Sequence, residues 1–286
     1  MNTFLGLLII AVGSFGQSSS YVPIRRVKQW SWESFWLVQG IFAWLVFPLA
    51  GALAAVPSGS SLFALLGAGG ALKAIVYGAL WGVGGLTFGL SMRYLGVALL
   101  PALFAGGDLL HGDGQLLLLG VCVTLAGIAV IGYAGSLRAR NMSEEQKRAA
   151  VRDFALTKGL LVALLAGVMS ACFALGLDAG APVRAAMQTA GADALVAGLP
   201  VILLVTFGGF LTNAAYCLRE NRKNRTGGEY MAVKGRRLTV NLLFCALAGG
   251  LWYSQFFGLE MGRSFLSGTP ILLAFSRSIL MSLNVL

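Results

Sequence analysis

Between Glu33 and Lys73 the chain carries no charged residue, and none falls between Asp113 and Arg138. A soluble domain disperses about 25% charged residues along its length. Here the share is 11%, against 57% hydrophobic residues and 39 glycines in 286 positions. Uncharged stretches of that length belong in lipid. A soluble enzyme, a nucleic-acid-binding module, a disulfide scaffold and a disordered chain are thereby excluded, and nucleic acid is not an expected partner. What remains is a polytopic membrane protein whose first partner is the bilayer.

A helix needs about 20 apolar residues to cross the hydrocarbon core, and backbone groups must be paired within each crossing segment. The long runs therefore predict an all-α, polytopic membrane helix bundle. Spans are expected at 3–22, 35–56, 72–92, 116–136, 158–178, 195–218 and 238–260, with a shorter run at 95–108. The stretch 265–286 is apolar apart from Arg277 and stops in mid-pattern at Asn284-Val285-Leu286, so it reads as an unfinished ninth span. No Lys or Arg precedes the first run and no clear cleavage site follows it, which predicts a retained helix rather than a signal peptide.

The net charge of +10 is loop charge. Arg25, Arg26 and Lys28 follow the first span and Arg93 follows the third. Six cations lie in 137–158 and seven in 219–237. Short loops rich in Lys and Arg face the cytoplasm. All four loops fall on one face if 95–108 occupies a crossing slot, and the N-terminus is then external.

Leu80-Trp81 followed by Phe88-Gly89-Leu90-Ser91-Met92-Arg93 recurs as Leu251-Trp252 followed by Phe257-Gly258-Leu259-Glu260-Met261-Gly262-Arg263. The first copy runs toward the cytoplasm and the second away from it. Opposed copies are a mark of secondary transporters, and they predict inverted five-helix repeats. Residues 1–140 would form the first, 141–157 a cytoplasmic basic linker, and 158–286 the second, incomplete repeat. Cys122, Cys172, Cys217 and Cys245 stand singly in apolar runs and read as small core residues. With His111 as the sole histidine, no metal site is expected. No cofactor is expected either, and no phosphate loop of the Gly-x-x-x-x-Gly-Lys kind is present.

The block Tyr21-Val22-Pro23-Ile24-Arg25-Arg26-Val27-Lys28-Gln29-Trp30-Ser31-Trp32-Glu33 resembles the L-rhamnose/proton symporter family of the drug/metabolite transporter superfamily. So do Ser91-Met92-Arg93-Tyr94-Leu95-Gly96 and Leu251-Trp252-Tyr253-Ser254-Gln255-Phe256-Phe257. The resemblance implies ten helices in two inverted halves and proton-driven uptake of a 6-deoxyhexose across a bacterial cytoplasmic (inner) membrane. Two departures stand out: the short run at 95–108 where a full fourth helix is implied, and the ninth span that stops early. They predict weak transport or none, with a non-transporting remnant as the alternative. An integral membrane enzyme is the other alternative, but the acids are too scattered to hold magnesium as such enzymes do.

A sugar site within a membrane needs amides or hydroxyls for the sugar hydroxyls and an aromatic face for the apolar side of the ring. Candidates are Ser14 and Gln17 in the first span, Gln39 in the second, Trp81 in the third, and Asn241, Trp252, Tyr253 and Gln255 in the eighth. Trp30, Trp32 and Trp36, beside the first basic cluster, read as an interfacial belt. Gly78 with Gly82, and Gly85 with Gly89, are spaced for close helix packing. Proton coupling asks for a buried ionisable group, for which Glu260 and Asp178 are the candidates.

Overall fold

The computed structural model describes residues 3–94, Met169 and residues 172–266, with the backbone alone for Thr3 and for 85–94. Every regular element among these is helical. The principal helices are α1 (Thr3–Ser19), α2 (Trp32–Ala55), α3 (Ala71–Tyr94), α4 (Ala181–Thr189), α5 (Leu199–Asn224) and α6 (Gly235–Phe265). A further helical segment covers 172–179. Four stretches are long and apolar enough to cross a membrane: Phe4–Ile24, Trp32–Ala55, Leu199–Asn224 and Gly235–Phe265. They coincide with the expected first, second, seventh and eighth spans, and α3 covers the third. The expected spans at 95–108 and 116–136, and almost all of 265–286, lie outside the described residues. So do Cys122, His111 and the linker 141–157.

Helix ends follow local chemistry. Pro182 and Pro200 open α4 and α5, where a missing N–H costs nothing. Arg222 and Lys223 close α5, their charge matched to the negative end of its dipole. In α1, Ser14, Ser18 and Ser19 donate back to the carbonyls of Ile10, Ser14 and Phe15 at 2.9, 3.1 and 2.8 Å. That return bond lets a hydroxyl sit in an apolar helix with its donor satisfied.

Midway along α2 the ladder changes register, because Pro48 has no N–H to give the carbonyl of Trp44. Phe42–Val46 form a π-turn, and the Phe47 N–H reaches back five residues to the Phe42 carbonyl.

Bare backbone makes the helix contacts. A Cβ on Gly13 would lie 2.6 Å from the Ser254 carbonyl oxygen, and one on Gly258 would lie 3.0 Å from that of Ile9. The Ser254 hydroxyl donates to the Gly13 carbonyl at 2.9 Å and ties α6 to α1. In the same way α3 lies on α5: a Cβ on Gly78 would strike the Val205 carbonyl, and one on Gly82 would stand 2.9 Å from that of Gly209. The expected role of the Gly78 and Gly82 pair is thus seen, whereas the surroundings of Gly85 and Gly89 lie outside the described side chains. On the other flank of α6, a Cβ on Gly249 would meet Phe42 Cβ at 2.6 Å, so the π-turn rests directly against α6. Small residues allow this approach in lipid, where no hydrophobic force draws helices together.

Cα packing groups 1–82 with 172–286 and sets 83–171 apart. Of the second unit only the end of α3 and Met169 are described. Everything that follows concerns the first. Cys172, Cys217 and Cys245 are buried within it and not joined in disulfides, as expected of core residues.

Candidate functional site

Trp44, Trp81 and Trp252 stand near the middles of α2, α3 and α6. Their ring centroids are 5.2 Å apart for Trp44 and Trp252, 6.2 Å for Trp44 and Trp81, and 6.1 Å for Trp81 and Trp252. Phe173 and Phe256 stack at 4.8 Å beside them, with Phe173 5.1 Å from Trp81 and Phe256 5.2 Å from Trp252. Most of these contacts are edge-to-face or tilted, the geometries that ring quadrupoles favour. Five rings from four helical segments thus meet at mid-helix height. Aromatic faces of this kind are the partners the carbon side of a pyranose stacks on.

Several buried polar groups of these helices are incomplete. Among the described residues, buried atoms without a hydrogen-bond partner are Gln17 Oε1, Trp44 Nε1, Asn213 Nδ2 and the Tyr253 hydroxyl. A buried group left so costs about 1 to 3 kcal/mol, and native proteins leave few of them unexplained. Gly40 lies between the Asn213 amide and the Trp44 ring: a Cβ there would lie 2.9 Å from Asn213 Nδ2 and 3.7 Å from Cε3 of Trp44. The Asn213 Oδ1 already accepts from Trp36 Nε1 at 2.9 Å, so only its donor half is open. The Tyr253 hydroxyl points at Gly51 of α2, 2.8 Å from where a Cβ would stand.

The expected sugar residues divide. Trp81 and Trp252 meet in the ring cluster, with Tyr253 beside them. Gln17 is buried with its oxygen unpartnered. Gln255 is buried on α6 and donates from Nε2 to the Trp252 carbonyl at 3.0 Å. Gln39 is buried in α2 one turn before Ala43. Ser14 is fully buried and its hydroxyl is engaged with its own helix. Asn241 is not brought to the rings, since eleven residues of α6 separate it from Trp252, about 16 Å along the axis. Its Nδ2 donates to the Lys28 carbonyl at 2.8 Å, and its Oδ1 accepts the Lys28 N–H at 3.2 Å. It clamps the turn after α1.

Glu260 is 3% exposed and pairs with Arg184 of α4 at 2.7 Å. Its carboxylate also accepts the Gly198 N–H at the start of α5, and the charge of Arg263 lies close by. A helix N-terminus favours an anion. The Glu260 side chain thereby joins α4, α5 and α6 at the end opposite the basic loop 219–237. Asp178, the other coupling candidate, is exposed near the end of the segment 172–179.

At the basic end the polar groups are satisfied. Glu33 is buried in the first turn of α2 and accepts from Asn224 Nδ2 at 2.9 Å and Thr226 Oγ1 at 2.8 Å. Ser34 donates to Asn221 Oδ1 at 3.2 Å, and Asn221 Nδ2 donates to the Tyr230 hydroxyl at 2.8 Å. Burial pushes the Tyr230 phenol above its ordinary range. The Ser31 N–H and hydroxyl both donate to Glu229 Oε2, at 2.6 and 2.9 Å. Trp32 stacks on Trp36 at 5.4 Å and is 46% exposed, as an interfacial ring should be. Trp36 departs from the belt in turning its N–H inward to Asn213.

Comparison with known proteins decides the family. The model for the L-rhamnose-proton symport protein (RhaT) matches residues 1–285. The chain belongs to the RhaT family. It is 32% identical over 280 residues to the L-rhamnose-proton symporter of Yersinia pestis (strain Pestoides F), covering 91% of this chain and 80% of that protein. Against the L-rhamnose-proton symporter of Yersinia pestis bv. Antiqua (strain Antiqua) it is 33% identical over 273 residues, or 88% of this chain and 78% of the other. No solved structure matches. Trp44, Phe173 and Phe256 in the ring cluster, and Asn213 near Trp44, were not singled out from the sequence. The signal for Trp44 was Pro48, four residues on, which predicts a disturbed helix at that level.

Proposed function

We propose that this protein carries L-rhamnose or a related 6-deoxyhexose inward across a bacterial cytoplasmic membrane together with a proton. The family and the named activity of its relatives support the class of cargo. The observation that carries the placement is the ring cluster of Trp44, Trp81 and Trp252 at mid-helix level, with unpartnered donors beside it. Trp81 and Trp252 would stack on the sugar, and Gln17, Tyr253 and Gln255 would meet its hydroxyls. A match extending over residues 1–285 gives a non-transporting remnant no support over transport.

Glu260 suits the proton better than Asp178, because a buried carboxylate holding a cation changes its contacts when it is neutralised. Protonation would release Arg184, and with it α4 from α6, the helix that also bears Trp252 and Tyr253. Sugar and proton thus act on one element. The N-terminus is taken as external, with 219–237 in the cytoplasm, on the Lys and Arg bias alone.

The reading of 1–140 and 158–286 as inverted repeats draws support from reciprocal packing. The third span rests on the seventh through Gly78 and Gly82, as the eighth rests on the second through Gly249. The first span packs on the eighth through Gly13 and Gly258. The 172–179 segment of the sixth meets the third, where a Cβ on Gly176 would lie 3.4 Å from Tyr77 Cβ. Exchanging partners in that pattern is what a two-fold relation between halves requires.

The test uses purified protein in liposomes with an acid exterior. Labelled L-rhamnose should accumulate, and a protonophore should abolish the accumulation. Glu260→Gln should keep rhamnose exchange between equal concentrations while losing pH-driven accumulation. Accumulation by Glu260→Gln at the wild-type level would remove Glu260 from coupling, and wild-type uptake indifferent to the gradient would remove symport.

A further inference from the structure

Trp44 combines three features that packing alone does not require. Its side chain is nine-tenths buried, at 9% exposure, yet its Nε1–H has no acceptor among the described residues. It stands in the π-turn Phe42–Val46, and such turns recur at functional sites because they re-aim one side chain out of the helical pattern. Its ring is held edge-on to both Trp252, at 5.2 Å and 71°, and Trp81, at 6.2 Å and 65°. An indole needed only as bulk would sit on a regular helix with its N–H on a carbonyl or in water. Here a proline removes the regular ladder, and Gly249 lets α6 press against the turn.

We propose that Trp44 is a specificity-determining ligand of the carried sugar, its indole N–H donating to one sugar oxygen while Trp81 and Trp252 cover the apolar face. This deepens the sugar reading and rests on it. The donor explains the orphaned N–H, since a hydrogen bond completed only with cargo in place leaves the empty protein one bond short. It also favours bound over empty site by more than ring contact alone, because desolvation of the indole has already occurred on folding. The π-turn is then the device that holds the donor in position, and Pro48 is a positioning residue acting through Trp44.

The experiment is L-rhamnose titration of the purified full chain, read by calorimetry and by the sugar-induced rise in Tm. Trp44→Phe keeps a ring and loses the donor. A second variant carries benzothienylalanine at position 44 by site-specific incorporation, which keeps the area of the indole and replaces only the N–H. Both should weaken binding about 5- to 10-fold, and the isostere, which removes a buried donor left unpaired, should raise rather than lower the Tm of the sugar-free protein. Among single-hydroxyl deoxy analogues of rhamnose, one should bind the wild type and the isostere alike, identifying the oxygen that accepts. If the wild type binds rhamnose and the isostere binds it equally, Trp44 is not a donor and the sugar reading stands. If the wild type itself shows no rhamnose binding, the sugar reading fails and this assignment with it.

Discussion

The basic rim and the ring cluster are both built from aromatic rings and amides on the same helices, yet one is chemically closed and the other open. At the rim Glu33, Ser34, Asn221, Asn224 and Thr226 hand hydrogen bonds to one another across α2 and the end of α5. At the centre Trp44 Nε1, Asn213 Nδ2 and the Tyr253 hydroxyl have none among the described residues. A closed network holds two helices together, whereas an open set of buried donors destabilises the empty protein and gives a ligand something to complete. On the proposed reading, the rim holds the structure and the centre recognises the sugar. Variants at the two places should therefore separate stability from affinity.

The largest effect is expected from Trp252→Ala. Emptying an indole's volume in a packed cluster costs about 3 to 5 kcal/mol, and it removes a stacking face. Thermal unfolding should show a large fall in Tm, and rhamnose binding should drop below detection. Trp252→Phe should recover most of the stability and part of the affinity. If Trp252→Phe is as stable as wild type and binds with full affinity, the indole face is not used.

Glu33→Ala sharpens the comparison from the other side. Asn224 and Thr226 lose a charged acceptor, and bonds of that kind contribute about 1.5 to 3 kcal/mol each. The Tm should fall while rhamnose affinity, measured at a temperature where the variant is folded, stays within about twofold of wild type. An equal loss in both would place the rim inside the recognition site.

How much of this was legible beforehand depended on whether a signal was local. Hydropathy runs located α1, α2, α3, α5 and α6, because lipid demands one apolar residue after another. Trp81 and Trp252 were legible through the recurrent Leu-Trp pair. Trp44 was not, since Phe42-Ala43-Trp44-Leu45-Val46 reads as undifferentiated lipid-facing sequence until Pro48 is seen to break the ladder. Nor was the use of Asn241, an amide in an apolar run that could equally face a sugar or a backbone turn. Its partner Lys28 is 213 residues away, and only the fold brings them together. A separation of 76 residues likewise hid Arg184 as the partner of Glu260.

The smallest effect separates those two uses of Asn241. Asn241→Ala strips the Lys28 N–H and carbonyl of their partners and should cost about 1 to 3 kcal/mol in unfolding experiments. The KM for rhamnose uptake should be unchanged. A tenfold rise in KM with unaltered Tm would return Asn241 to the sugar site, where its sequence position first put it.

The most direct measurement is an experimental structure of the full chain with L-rhamnose bound. Sugar density should lie against the Trp81 and Trp252 faces, with one oxygen within hydrogen-bond distance of Trp44 Nε1 and the rim bonds of Glu33 intact. Density lodged instead among Asn221, Asn224 and Tyr230, with the three indoles uncovered, would contradict the division between a closed rim and an open centre.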